Sequence, residues 1–186
     1  MRQRRGRRLT THAPRHILPA IVFSQFAGTA LWFSGNALLP DLQGVLGLAP
    51  GAVAAVTSAV HLGFIAGTLL FATLNIADRF RPRDVFLVCS LIGASVNAAM
   101  LALPATQDPY PALLALRFAT GFFLAGIYPV GMKIAASWYQ QGLGLALGWL
   151  VGALVLGTAL PHLLRGATLG LPWQGVAVGV SLLAVA

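Results

Sequence analysis

The chain has 186 residues, of which 58% are hydrophobic and 9% charged, with a mean hydropathy of +0.81 and a formal net charge of +8 at pH 7. A water-soluble domain needs a charged exterior, and this composition is too apolar to supply one. It therefore excludes an ordinary soluble globular protein and predicts an all-α integral membrane protein. Its long apolar runs would be transmembrane helices that face lipid or one another.

The segment before the first apolar run, residues 1–16, is strongly basic. It contains half of the chain's twelve Lys and Arg side chains, namely Arg2, Arg4, Arg5, Arg7, Arg8 and Arg15. A secretory signal peptide has the same order of charge and apolar run, but the run here is longer than a signal core of ~7–15 residues and no cleavage site before a soluble domain follows. A polybasic stretch beside a membrane helix predicts a cytoplasmic tail on anionic lipid rather than a nucleic-acid site.

Apolar runs separated by short polar or Pro/Gly-containing breaks follow the tail. A helix crosses a ~30 Å hydrocarbon layer with about 20 residues at ~1.5 Å each. We predict six transmembrane helices, at 17–39, 52–74, 85–103, 113–132, 143–164 and 173–186. The last would extend only ~21 Å. We therefore expect the sixth helix to be cut short and a second, C-terminal half of the protein to be missing from this sequence.

The positions of basic residues predict which ends of the helices face the cytoplasm, because cytoplasmic loops retain Lys and Arg. The break after the second helix contains Arg79, Arg81 and Arg83, and Lys133 follows the fourth helix. The loops on the other side contain only Arg165. The N-terminus is therefore predicted to be cytoplasmic, in a bacterial inner membrane.

The first helix carries Gln25, Trp32 and Asn36 on one face. Unpaired amides are costly in hydrocarbon, so these side chains should face the interior, where they either hold helices together or contact substrate. His61 in the second helix and Asn97 in the third are interpreted in the same way. A lone histidine within a membrane is more often a packed hydrogen-bonding group than a proton carrier.

The break after the second helix contains the only acidic residues on the predicted cytoplasmic side, Asp78 and Asp84. Residues 74–83, LNIADRFRPR, resemble the loop pattern G-x-L-A-D-R-x-G-R-R of the major facilitator superfamily of secondary transporters. Asp78, Arg79 and Arg83 match that pattern, whereas both glycines and one arginine are replaced. The resemblance implies a loop whose charged contacts hold helix ends together and help to switch between inward-facing and outward-facing states. An ordinary positive-inside loop is the alternative.

The fourth helix contains an arginine well inside its apolar run. Arg117 would lie ~9 Å from the helix end, where a charge costs on the order of 3 kcal/mol unless it faces the bundle interior or a wet cavity. Gly121, Leu124 and Tyr128 share its face at ~100° per residue. Residues 117–121 resemble the R-x-x-x-G stretch of the superfamily's fourth helix, which implies a role in substrate binding or coupling. We expect Arg117 to face a central cavity; hydrogen bonding to neighbouring backbone carbonyls is the alternative.

The fifth helix carries Gly144, Gly148 and Gly152 at four-residue spacing, which allows another helix to approach closely. This stretch corresponds to the superfamily's antiporter pattern G-x-x-x-G-P-x-x-G-G. Ala153 stands where the proline of that pattern should follow Gly152, which argues against a proton-driven drug exporter without excluding one.

The resemblance covers residues 17–186 and implies two inverted three-helix repeats. The second helix contains GTLL at 67–70 and the fifth contains GTAL at 157–160, a faint echo of such repeats. The implied function is secondary active transport of a small solute by alternating access, coupled to an ion or proton. Since no helix interior contains an acidic residue, Arg117 suggests an anionic substrate or a partner group on the missing half.

Two other function classes are weighed against transport. A membrane scaffold without transport activity is possible, whereas an intramembrane serine protease would need a nucleophile and an oxyanion hole, and His61 with Ser58 or Ser95 is only a permissive combination. Neither a metal nor a cofactor is predicted, because His61 and His162 lie at different depths and Cys89 is the only cysteine. The expected partners are a small-molecule or ionic substrate and the lipid bilayer, with no nucleic acid.

Overall fold

The computed structural model describes residues 14–105, 107–167 and 172–186, and these residues contain helices and no strand. Most of the basic tail predicted at 1–16 lies outside them. The helices are α1 (Ile17–Leu46), α2 (Ala52–Thr73), α3 (Ile76–Arg79), α4 (Pro82–Ala99) with a 3-10 extension (Met100–Ala105), α5 (Pro109–Leu124), α6 (Tyr128–Trp138), α7 (Leu143–Ala167) and α8 (Trp173–Val185).

Within the described residues, five helical segments are long and apolar enough to cross a membrane, and α8 is a shorter apolar helix. Two of the five are composite: α4 continues through its 3-10 extension, and α5 continues through α6. Large apolar side chains are exposed along the outside of the bundle, among them Leu62, Leu69, Leu145, Leu156 and Leu182. The predicted order of six membrane helices is confirmed, and the outer surface suits lipid.

The helix boundaries near Pro40 and Pro82 differ from the prediction. The first helix does not end at Leu39 but continues through Pro40 to Leu46 and ends at Gly47, which has a left-handed φ of 62°. Leu42 is completely buried beyond the proline, so packing of this last segment outweighs the one backbone hydrogen bond that Pro40 cannot donate. Similarly, α4 begins at Pro82, because proline is well suited to the first turn of a helix.

The fourth span is interrupted between α5 and α6. Around the interruption, the N–H groups of Ala125, Gly126 and Ile127 donate to the carbonyl three residues earlier, as in a tighter 3-10 turn. Pro129 follows immediately and has no N–H to bond the carbonyl of Ala125. The sequence analysis treated this span as one uninterrupted helix and missed the break.

The packing of the helices has the pattern of two repeats. The most extensive contacts join α2 to α5 and α1 to α7, while α4 packs on α8. If the first, second and third spans are matched with the fourth, fifth and sixth, the contact between α2 and α5 corresponds to the contact between α7 and α1. The contact between α4 and α8 then corresponds to itself. Corresponding helices are three positions apart in the order of spans, and successive spans alternate in direction, so the two repeats run in opposite directions through the bundle, as the resemblance implies.

The similar segments of the second and fifth spans, GTLL at 67–70 and GTAL at 157–160, lie at equivalent contacts in the two repeats. An added Cβ at Gly67 would collide with the carbonyl oxygen of Phe122 on α5, and one at Gly157 would lie 3.4 Å from the carbonyl oxygen of Phe26 on α1. Each glycine therefore allows its helix to approach the backbone of the first span of the other repeat. The GTLL and GTAL segments thus lie at corresponding contacts of the two repeats.

Candidate functional site

Arg117 is completely buried between α5 and α1. Its guanidinium lies directly against the backbone of Gly35, where an added Cβ would overlap the guanidinium carbon. Nη2 donates a 2.7 Å hydrogen bond to the carbonyl oxygen of Trp32 and a long one of 3.4 Å to Oδ1 of Asn36. Arg117 thus connects two helices of the bundle.

The local sequence of α1 makes room for this contact. Gly35 has no side chain, so the flat guanidinium can rest on the helix backbone. The carbonyl oxygen of Trp32 has two lone pairs, so it can accept from Arg117 in addition to its bond within the helix. Nε and Nη1 of Arg117 have no hydrogen-bond partner among the described residues, so the guanidinium is both buried and only partly satisfied.

A groove between α1 and α2 lies beside this arginine. We define the α1–α2 groove by Trp32, Asn36 and Gln43 on α1 and Thr57 and His61 on α2, all of which remain at least partly exposed. The wider part of the groove is a cavity of about 310 Å³ lined by Asn36, Leu39, Pro40, Gln43, Val53 and Thr57. The structure therefore brings together three residues singled out in the sequence, Trp32, Asn36 and His61.

Aromatic contacts form the narrow end of the α1–α2 groove, one helical turn from the cavity. The ring of Trp32 meets the edge of the His61 ring at a centroid distance of 5.2 Å and packs on Phe64 at 4.9 Å. Nδ1 of His61 is 2.7 Å from the carbonyl oxygen of Thr57. A carbonyl can only accept, so Nδ1 carries the proton and Nε2 is the ring nitrogen left for another partner.

Three of the predicted path residues do not join the groove. Gln25 is completely buried, with no hydrogen-bond partner for its amide among the described residues, and its oxygen lies against Gly131 of α6. Gly121 instead holds α5 against Val60 of α2. Tyr128 lies beyond the break in the fourth span, so extrapolating ~100° per residue from Arg117 does not apply to it.

The loop after the second span forms its charged contact with a residue that the sequence analysis had not assigned to the site. The ammonium group of Lys133, on α6, contacts the carboxylate of Asp78 and donates a 2.8 Å hydrogen bond to the carbonyl oxygen of Ala77. Among the described residues Arg83 pairs only with its neighbour Asp84, at 3.2 Å, and Arg79 is exposed. The loop is therefore linked to the fourth span through a lysine.

The family model of the Major Facilitator Superfamily matches residues 21–186. The chain belongs to the major facilitator superfamily. No curated protein and no solved structure matches the chain at the threshold applied. Membership identifies this protein as an integral membrane protein of a transporter superfamily rather than of an enzyme family.

The glycine stripe of this superfamily member's fifth span does not pack within the described bundle. An added Cβ at Gly144, Gly148 or Gly152 would meet no atom within 4 Å among the described residues. The close approach on α7 occurs instead at Gly157, against α1. Packing of another helix on the stripe therefore stays a prediction.

Sequence reasoning missed two groups of residues that the structure places at these sites. Lys133 had a signal, because it is the only lysine in the chain and follows an apolar run. Thr57 and Gln43 had a weaker one, as polar residues at helical spacing from His61 and Asn36. Gly63, which packs on the carbonyl oxygen of Phe118, also had a signal, because Gly63 and Gly67 have the four-residue spacing that lets another helix approach closely.

Proposed function

We propose that the protein is a secondary active transporter that moves a small solute across the membrane by alternating access, with coupling to an ion or a proton. The cycle would use this bundle together with the second, C-terminal half that the sequence predicts. The observation that carries the proposal is the α1–α2 groove, where partly exposed polar and aromatic side chains lie within membrane-spanning helices beside a buried arginine.

The physical reason is the cost of polar groups in hydrocarbon. An arginine, an asparagine and a histidine gathered from three neighbouring spans are expensive in lipid, and such residues usually mark a solute or ion path. A purely structural helix pair would be served by apolar side chains and small residues, as the contact between α2 and α5 already is. The groove is therefore better explained by a solute than by packing.

Flux measurements on the purified full-length protein in proteoliposomes test the proposal. We expect saturable uptake of at least one solute from a panel of organic anions, inorganic anions, neutral solutes and lipophilic cations, and stimulation by a pH or ion gradient. A membrane scaffold would show no flux above empty liposomes for any member of the panel. Preserved folding in the same samples, measured by thermal unfolding, makes that negative result decisive.

The proposed orientation has the N-terminus in the cytoplasm of a bacterial inner membrane. Arg81 and Gln107 lie just beyond opposite ends of the third span. We therefore expect an Arg81→Cys variant to resist an impermeant thiol reagent added outside intact cells, and a Gln107→Cys variant to react. The background should carry Cys89→Ser. Labelling of the cysteine at position 81 alone would reverse the topology.

The loop carrying Asp78, Arg79 and Arg83 is proposed to bias the switch between the two access states. With 72% of the Asp78 side chain and 38% of the Lys133 side chain exposed, Asp78→Asn should lower the free energy of unfolding by less than about 1 kcal/mol. If the pair forms in only one of the two access states, losing up to about 1 kcal/mol shifts the equilibrium between the inward-facing and outward-facing states by up to about fivefold, and the uptake rate changes with it.

Asp84→Asn is the matched control for this loop, because it removes the same charge from a contact with an adjacent residue and joins no two helices. Exchanging the two groups, Asp78→Lys with Lys133→Asp, should restore much of the lost rate. Equal uptake by the Asp78→Asn and Asp84→Asn variants would show that the pair between loop and fourth span has no role in switching.

A further inference from the structure

We propose that the α1–α2 groove binds a small organic monoanion, a carboxylate with an apolar body, through the side-chain amide of Asn36 held in one orientation by Arg117. The inference rests on the proposed transport function and names its substrate class. It is carried by the hydrogen-bonding chemistry of these two residues, the charge distribution around the cavity and the character of the cavity wall.

The orientation of the Asn36 amide follows from its neighbour. A guanidinium can only donate hydrogen bonds, so the amide atom turned towards Nη2 of Arg117 is the oxygen, Oδ1. The other branch of the amide, Nδ2 with its two hydrogens, is then turned away from Arg117. Because Asn36 is partly exposed and lines the cavity, these donors are available to a ligand there. Such a ligand must present hydrogen-bond acceptors.

The positive charge of Arg117 also favours a ligand that is an anion. Arg117 is completely buried, and an arginine retains its proton at physiological pH. None of the chain's acidic residues is among its hydrogen-bond partners in the described structure, and no carboxylate lines the cavity. A fixed positive charge in surroundings of low dielectric attracts an anion and repels a cation.

The other residues that line the groove limit the size of the ligand and favour an apolar group next to its carboxylate. Leu39, Pro40 and Val53 give the cavity an apolar side, and Trp32 packs on Phe64 one helical turn away in the same groove. A cavity of about 310 Å³ lies at the lower limit of typical ligand pockets, ~300–1,000 Å³. One polar group facing Asn36 and a small apolar remainder in contact with Leu39, Pro40 and Val53 fit this arrangement.

Calorimetric titration of the purified full-length protein tests the ligand class with benzoate, its neutral isostere benzamide and benzylammonium, together with four- to eight-carbon aliphatic monocarboxylates and their amides. We expect at least one acid to bind at least about tenfold more tightly than the matching amide, because the amide presents one acceptor and no charge. Benzylammonium should not bind.

Asn36→Asp is the critical variant, since it has the same shape and can still accept from Arg117, so thermal stability should be retained or increased. It replaces the donors that face the cavity with a carboxylate oxygen and neutralises the arginine. Affinity for the acid should fall by about a hundredfold, which corresponds to about 2.7 kcal/mol. Gln140→Glu, the corresponding amide-to-carboxylate change at an exposed position between α6 and α7, should leave the affinity unchanged.

Arg117 is a positioning residue in this proposal, and the ratio of acid affinity to amide affinity reports its role. In Arg117→Met the Asn36 amide is free to turn and the charge is gone, so this ratio should approach one. A purely structural arginine would weaken the binding of both ligands equally and leave the ratio as it is in the unmodified protein.

The inference is overturned if no acid binds more tightly than its amide, or if Asn36→Asp binds the acid as well as the unmodified protein does. Flux assays separate this failure from failure of the transport proposal. Flux of a neutral or cationic solute without anion binding leaves transport standing and removes the substrate class. Anion binding without flux of any solute leaves the anion site standing and removes transport.

Discussion

Replacing Gly121 by alanine should prevent most of the protein from folding stably. The added methyl group would occupy the position of the Val60 carbonyl oxygen and approach the backbone nitrogen of Phe64 to 2.9 Å. Both obstacles are backbone, which cannot rotate aside as a side chain can, so α2 and α5 must separate. Since overpacking of a core by even a few atoms costs about 1–3 kcal/mol and sometimes more, we expect a loss of at least about 3 kcal/mol.

Gly44→Ala is the control for this prediction, because Gly44 also lies within a long apolar helix and an added Cβ there meets no atom within 4 Å among the described residues. Both variants gain helix propensity from the alanine. Monodispersity in mild detergent and the midpoint of thermal unfolding should fall for Gly121→Ala alone. Equal stability of the two variants would show that α2 and α5 do not pack as closely as described.

Replacing Arg117 by methionine should abolish most transport while the protein still folds. Methionine has similar length without the charge, so the variant loses the bonds to Trp32 and Asn36 and also the cost of a buried guanidinium with two unpaired nitrogens. Removing such a group is often neutral or stabilising when an apolar side chain fills the space. Loss of a charged hydrogen bond of about 1.5–3 kcal/mol corresponds to a fall in uptake of about 10- to 150-fold.

Two further variants separate the charge of Arg117 from its geometry. Arg117→Lys retains the charge but lacks the planar fork that spans Gly35, so its uptake should lie between those of the methionine variant and the unmodified protein. Gly35→Ala retains the arginine but displaces it from α1, and it should lower uptake as well. Unchanged uptake in a well-folded Arg117→Met protein would show that this arginine only connects helices.

Much of the fold was predictable because the membrane imposes it. A helix that crosses hydrocarbon must satisfy its backbone internally and present an apolar surface, so the spans can be read directly from the apolar runs. The same physics predicted that Arg117 and Gln25 would be buried, as they are. The resemblance added the order of the spans and the repeats, which single-helix periodicity does not contain.

The details of the site were less predictable because they depend on contacts between distant segments. Fifty-five residues separate Asp78 from Lys133, so the sequence around that lysine does not show that the two side chains meet. The direction of Tyr128 depends on a break that only backbone hydrogen bonds reveal. Similarly, the burial of Arg117 against Gly35 depends on which face of α1 meets α5, and the sequence of α5 alone does not specify it.

The interruption between α5 and α6 divides the fourth span into two rigid rods with a joint between them. Arg117 is fixed to one rod and Lys133 to the other. Bending at the joint requires little loss of hydrogen bonding, because the ladder is already irregular there and Pro129 contributes no donor. We expect a bend at the joint to tilt the rod that carries Arg117 relative to the rod that keeps its attachment to the loop at Asp78.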